Sequence, residues 1–271
     1  MAAWIHDEGM AQGNRAHQED DYGVCELPPT LDAGDLLLVL ADGMGGERGG
    51  ARASALAVRS FITTYDRVPA ETIPERLART LTEVNAQMGQ EAATDPEALN
   101  GMGCTLLAVV LAEEGLYWVS VGDSPLWLWR QGRLYRLNQD HAYRSVLARQ
   151  VSKGQIRADV AARHPDRNAL MSAVTGDALD LIDLSQQAHV LWNSDQILLA
   201  SDGVLTLDER EITAILAHRQ VDETPCQALL AAIAAHQRPQ QDNATVVWAC
   251  SANGLPNEPW WRRWRALLGA G

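Results

Sequence analysis

Lysine is almost missing from this chain. Lys153 is the only one, and arginine carries nearly all of the positive charge. A phosphate-cradling P-loop of the GxxxxGK[ST] type is thereby excluded, because Lys153 is followed by Gly154 and Gln155. Cysteine is scarce and scattered: Cys25, Cys104, Cys226 and Cys250 form no CxxC and show no paired spacing, so they read as free thiols of a reducing compartment. No apolar run approaches the roughly 18 residues of a membrane span. The opening MAAWIHDEGM has neither the basic flank nor the apolar core of a signal peptide, and a soluble, cytoplasmic protein is expected. Excess positive charge is also lacking. The net charge of −13 argues against a nucleic-acid or anionic-membrane partner, and it suits a chain that gathers carboxylates around a metal.

What is present is enough for a sizeable core: 271 residues, 46% of them hydrophobic, suffice for one large domain or two small ones. Leu36–Ala41, Leu116–Val121, Gln196–Ala200 and Ala244–Ala249 read as strands, each short, apolar and flanked by Gly, Asp or Ser. Thr105–Leu111 pairs with Leu116–Val121 through a turn at Glu113–Gly115, and LWLWRQGRLYRL forms a second hairpin around Gln131-Gly132. Helical spacing marks GGARASALAVRSFITTY, IPERLARTLTEVNAQMGQEA and CQALLAAIAAHQ, with Pro74 suited to a first turn. Successive hairpins with long helices between them predict mostly antiparallel sheets covered by helices. Arg144 to Gly176 is polar and irregular, as an insertion lying over something would be.

The strand ends carry the chemistry. Leu36–Ala41 runs into Asp42-Gly43, Leu116–Val121 into Gly122-Asp123-Ser124, and Gln196–Ala200 into Ser201-Asp202-Gly203, whereas Asp242-Asn243 comes just before Ala244. In antiparallel packing the end of one strand lies beside the start of the next, so these four aspartates can share one edge. Any one Asp-Gly reads as a plain turn. Four together would repel unless a cation sat among them, and oxygen ligands without histidine suit Mg²⁺ or Mn²⁺ rather than Zn²⁺. Gly43, lacking a side chain, can turn its carbonyl to the same ion. GNRAHQEDDYGV places Arg15 shortly before Glu19 and Asp20. Alone it reads as a salt-bridged surface turn; beside a metal cluster Arg15 is a bidentate clamp for phosphate.

In order along the chain, RAHQED, LADGMGG, GCTLLAVVL, VSVGDSPLWL, LLASDGV and DNATVVW resemble the six motifs of the metal-dependent serine/threonine protein phosphatases of the protein phosphatase 2C type. The resemblance runs from Gln12 to about Cys250. It implies an α+β fold, a four-layer α/β/β/α sandwich, with residues 1–250 as the catalytic domain and 251–271 as a tail. It also implies two Mn²⁺ or Mg²⁺ ions per site, with Asp42 bridging them, the Gly43 carbonyl on one, and Asp202 and Asp242 completing the other. Glu19 and Asp20 would act largely through metal-bound water. Asp123, with Asp202, matches a third, weaker ion of bacterial members. Arg15 would hold the substrate phosphate, and Asn243 would orient Asp242. The chain departs from the family pattern at Gln18 (usually Asn), Pro125 (often Arg) and Met44, where animal members have histidine.

The implied reaction is hydrolysis of phosphoserine or phosphothreonine in protein substrates by a metal-bridging hydroxide, opposing a cognate Ser/Thr kinase. No cysteine or histidine nucleophile is required, so Cys104 is expected in the core and His141 and His164 in solvated loops. A non-catalytic pseudophosphatase or regulatory binding module is the rival; intact carboxylates at every motif argue against it. An aspartyl-phosphate phosphohydrolase would need DxDx[TV], and DALDLIDL has Asp180 and Asp183 at the wrong spacing. The tail EPWWRRWRALLGAG is basic and tryptophan-rich. Packing of Trp260 and Trp264 on the catalytic domain is expected, with a docking element for a partner as the alternative.

Overall fold

A computed structural model describes residues 4–31, 33–95, 99, 101–218 and 223–252. The tail from residue 253 onward, with the tryptophans discussed above, lies outside the described residues. Two sheets face each other. The first has the order β1 (Trp4–Ala11), β11 (Ala244–Ser251), β10 (Gln196–Ala200), β7 (Leu126–Arg130), β8 (Arg133–Arg136). The second runs β2 (Asp20–Glu26), β3 (Leu36–Met44), β5 (Leu106–Ala112), β6 (Gly115–Val121), β9 (Asp183–Leu184), with the short β4 (Gly103–Cys104) also on β3. Every strand pair is antiparallel.

The central strands are unbroken apolar runs because both of their faces are buried. On β3, Leu36, Leu38 and Leu40 pack between the sheets with Leu107, Leu126, Leu199 and Val247. Leu37, Val39 and Ala41 face outward, beneath α1 (Gly46–Arg67) and α2 (Ile73–Ala92), and join Phe61, Leu77 and Leu81 there. The period-2 alternation of a strand makes this division. On the other side, Leu198, Val246 and Trp248 pack with Ile212, Leu229 and Ile233 of α5 (Glu209–Ala217) and α6 (Pro225–Ala235). The expected four layers are therefore present. Helix α2 begins where the sequence says it should: Thr72 caps it by accepting the Glu75 N–H, and Pro74 sits in the first turn.

Arg144 to Gly176 differs from the expectation of an irregular segment. It contains most of α3 (Tyr143–Ser152) and all of α4 (Ala158–Ala162). Only Leu147 of α3 is buried, so there is no apolar stripe from which a helix could be read. The segment does lie over other structure, with Val174 bridging Cys104 and the Asn85 side chain of α2 accepting the Gly176 N–H at 3.0 Å. Among the described residues no helix is long and apolar enough to cross a membrane.

Candidate metal centre

The strand pairing brings the acidic residues to one end of the sandwich. Asp20 opens β2 and is the direct partner of Asp42 near the end of β3. The Asp42 N–H donates to the Thr105 hydroxyl at 3.0 Å, and that hydroxyl meets Ser124 at 2.8 Å, which ties Asp42 to the loop carrying Asp123. Asp20 is joined to the opposite sheet: its Oδ2 accepts from Ser201 and from Thr245, each at 2.8 Å. Gln18, where the family usually has asparagine, accepts the Asp20 N–H at 3.0 Å. Gly43 donates its N–H to the Glu19 carbonyl at 3.0 Å, and a Cβ there would fall on the main chain of Gly50 and Glu19. The loop between β1 and β2 thus lies against the end of β3 too closely for any side chain at 43.

Arg15 and Asp242 form an ion pair of 2.6 Å, with the arginine side chain 59% exposed. The surface-turn reading paired Arg15 with its sequence neighbours; the fold brings it instead to Asp242, two residues before β11. Asn243 works in two directions. Its main-chain N–H donates to Asp242 Oδ1 at 2.9 Å. Its side chain holds the Arg15 loop, accepting the Glu19 N–H at 2.8 Å and donating to the carbonyls of Gln12 and His17 at 2.8 and 3.0 Å.

Crowding and burial act together on the carboxyls. Burial first, then repulsion from Asp20, Asp202, Asp123 and Asp242, pushes Asp42 well above the usual carboxylate range. Burial and the neighbouring Asp123 and Asp242 lift Asp202 to about 7. Burial lifts Asp20 to about 6 against its two hydroxyl donors. Asp123 is also raised by burial, with Arg144 opposing. Among the described residues no three acidic, histidine or cysteine side chains close into a ready-made ligand set. The carboxylates share one field without meeting at one point. They nevertheless fit a divalent cation: the donors are hard oxygens, and the buried Oδ1 of Asp20 has no hydrogen-bond partner.

His141, expected in solvent, is buried. Its Nδ1 accepts the Gly122 N–H at 3.2 Å and its own N–H reaches the Gly122 carbonyl, so it braces the turn before Asp123. Cys104 is a fully buried core thiol, as expected, and it, Cys25 and Cys226 form no disulfide. The supporting residues Ser201, Thr245, Arg136, Asp140 and Arg144 were not singled out from the sequence. Hydroxyls beside strand-end aspartates were the one available signal.

Residues 11–246 match the family model of protein phosphatase 2C. The chain is 31% identical over 238 residues to the serine/threonine phosphatase Stp of Listeria monocytogenes, covering 86% of this chain and 90% of that protein. The serine/threonine phosphatase structure from S. agalactiae superposes with a TM-score of 0.78 at 25% identity, over 92% of this chain and all of that one. The catalytic domain of the phosphatase PstP, solved in complex with two manganese ions, superposes at 0.70 with 26% identity, over 91% of this chain and 97% of that one. With the sandwich, the strand-end aspartates and these matches in agreement, the chain belongs to the protein phosphatase 2C family.

Proposed function

We propose that this phosphoprotein phosphatase hydrolyses phosphoserine and phosphothreonine at a centre of two divalent cations, Mn²⁺ or Mg²⁺. The observation that carries the reading is the gathering of Asp20, Asp42, Asp123, Asp202 and Asp242 into one electrostatic field at one end of the sandwich, each of the first four raised by burial and most of them by one another. Asp42, the Gly43 carbonyl, Asp202 and Asp242 would hold the ions, with Glu19 and Asp20 beside them. Bound there, such ions would supply Lewis-acid chemistry toward water and the phosphoryl oxygens.

The chain's own residues do the rest. Ser201 and Thr245 fix one oxygen of Asp20 and leave the other free for a ligand. Thr105 and Ser124 fix the main chain at Asp42. Arg15 uses a single N–H on Asp242 and keeps the remaining donors of its exposed guanidinium for a phosphate. Asn243 holds the Arg15 loop over the site. The phosphoproteins served are those of a Ser/Thr kinase in the same cytoplasm.

Turnover of p-nitrophenyl phosphate and of a phosphothreonine peptide should require Mn²⁺ and stop in EDTA. Asp42→Ala should remove it from a folded protein, a loss of at least about 10³-fold, whereas Arg15→Ala should mainly raise KM. Mn²⁺-independent turnover, or wild-type rates in Asp42→Ala, would refute the reading.

A further inference from the structure

Helix α3 reaches the candidate centre through one side chain. Arg144 Nη2 donates to Asp123 Oδ2 at 2.9 Å, and its Nε donates to Asp140 Oδ2 at 2.6 Å. Arg136 closes the group, donating to the Asp123 carbonyl at 2.9 Å and to Asp140 at 3.3 Å. The Asp123 side chain is 5% exposed and that of Arg144 18%. Asp140 also accepts the Ala142 N–H at 2.9 Å, just before α3 begins, and the Arg144 N–H is held by the Arg167 carbonyl at 2.7 Å. Two carboxylates and two guanidinium groups are thus locked together, neutral as a set, at the root of the 144–176 segment.

We propose that Arg144 is the resident counter-ion of Asp123, so that helix α3 holds Oδ2 of the carboxylate an outer, third divalent ion would need and neutralises its charge. This rests on the reading of the site as a cation centre. The physical reason is exclusion. A cation on Asp123 Oδ2 must displace Arg144, leaving its mostly buried guanidinium with Asp140 as its one carboxylate and facing the cation's charge, a costly state. The chain therefore carries two ions rather than three, and the 144–176 segment is anchored to the site by charge instead of by metal. Arg144 is a positioning residue here, acting through Asp123.

Calorimetric titration of the full chain with Mn²⁺ provides the test. Wild type should bind two ions. Arg144→Met, which keeps length and removes charge, should bind a third ion, with a Kd at least about tenfold below the highest Mn²⁺ concentration at which wild type still binds only two. Two ions in both proteins with equal affinities, or three in wild type, would overturn the counter-ion role alone. No Mn²⁺ bound by either would overturn the cation-centre reading and this proposal with it. Asp123→Asn guards against a misfolded Arg144 variant: it should leave the count at two while amide exchange in residues 143–152 speeds up. Loss of an ion from Asp123→Asn, or unchanged exchange there, would count against the proposal.

Discussion

Asp202 titrates near 7 in the folded chain against 3.8 for an ordinary aspartate, because burial and its acidic neighbours disfavour the charge. Between those two values the folded chain keeps a proton that the unfolded chain has lost. The stability this confers is complete below about pH 4 and disappears as the pH rises through 7. In the absence of divalent cations, Asp202→Asn should therefore stabilise the protein at pH 7.5 by about 2 kcal/mol, close to 5 °C in Tm, and much less at pH 4. A variant equally stable to wild type at pH 7.5 in EDTA would contradict the crowding. Asp42, Asp123, Asp202 and Asp242 were legible in the sequence because each abuts an apolar run that must be a strand. Arg144 was not, since its meeting with Asp123 is made by tertiary structure and nothing in SVGDSP or AYRSVL announces it. His141 misled for a related reason: it follows the polar run Asn138-Gln139-Asp140 in sequence, yet it is buried against the Gly122 turn.

Strand ends hold the candidate centre only while the strands keep their spacing, and Gly203 is where that spacing is tightest. Past β10, the chain turns through Asp202–Thr206, and a Cβ on Gly203 would fall on the main-chain carbonyl of Asn243. That atom is backbone and cannot swing aside. Gly203→Ala should cost about 3 kcal/mol, seen as a lower urea midpoint at unchanged m, and should weaken Mn²⁺ binding by moving Asp202 from Asp242. A wild-type midpoint would show that the turn has slack. Elements buried on both faces, such as β3, β5, β10 and β11, could be read directly, since continuous apolar runs leave few alternatives. The edge strands β1 and β2 each pair with a single neighbour and are only partly buried, so WIHDEGMA and DDYGVCE lack a strand's usual signature. Helix α5 was missed although it carried one: Asp208 and Glu211 form a capping box.

Across the whole molecule, the net charge of −13 and the buried acidic end both oppose the folded state, and a cation bound there relieves the second. At a hundredfold excess over Kd, Mn²⁺ should add about 2.7 kcal/mol, which is about 5–10 °C in Tm for a chain of this size. Scanning fluorimetry in Mn²⁺ and in EDTA would measure the shift, and Asp42→Ala should lose it. An equal gain from sodium chloride would instead assign the effect to screening of surface charge. The pairing of β1 with β11, Trp4 opposite Ser251, has a consequence for synthesis. Strands β2 to β6 with α1 and α2 all come from residues 20–121, so most of one sheet can assemble while translation continues. Asp242, Asn243 and the strand that orders the Arg15 loop arrive last. A nascent chain that stops before residue 242 lacks Asp242, Asn243 and the whole of β11, so the candidate centre is expected to be complete only once β1 has paired with β11.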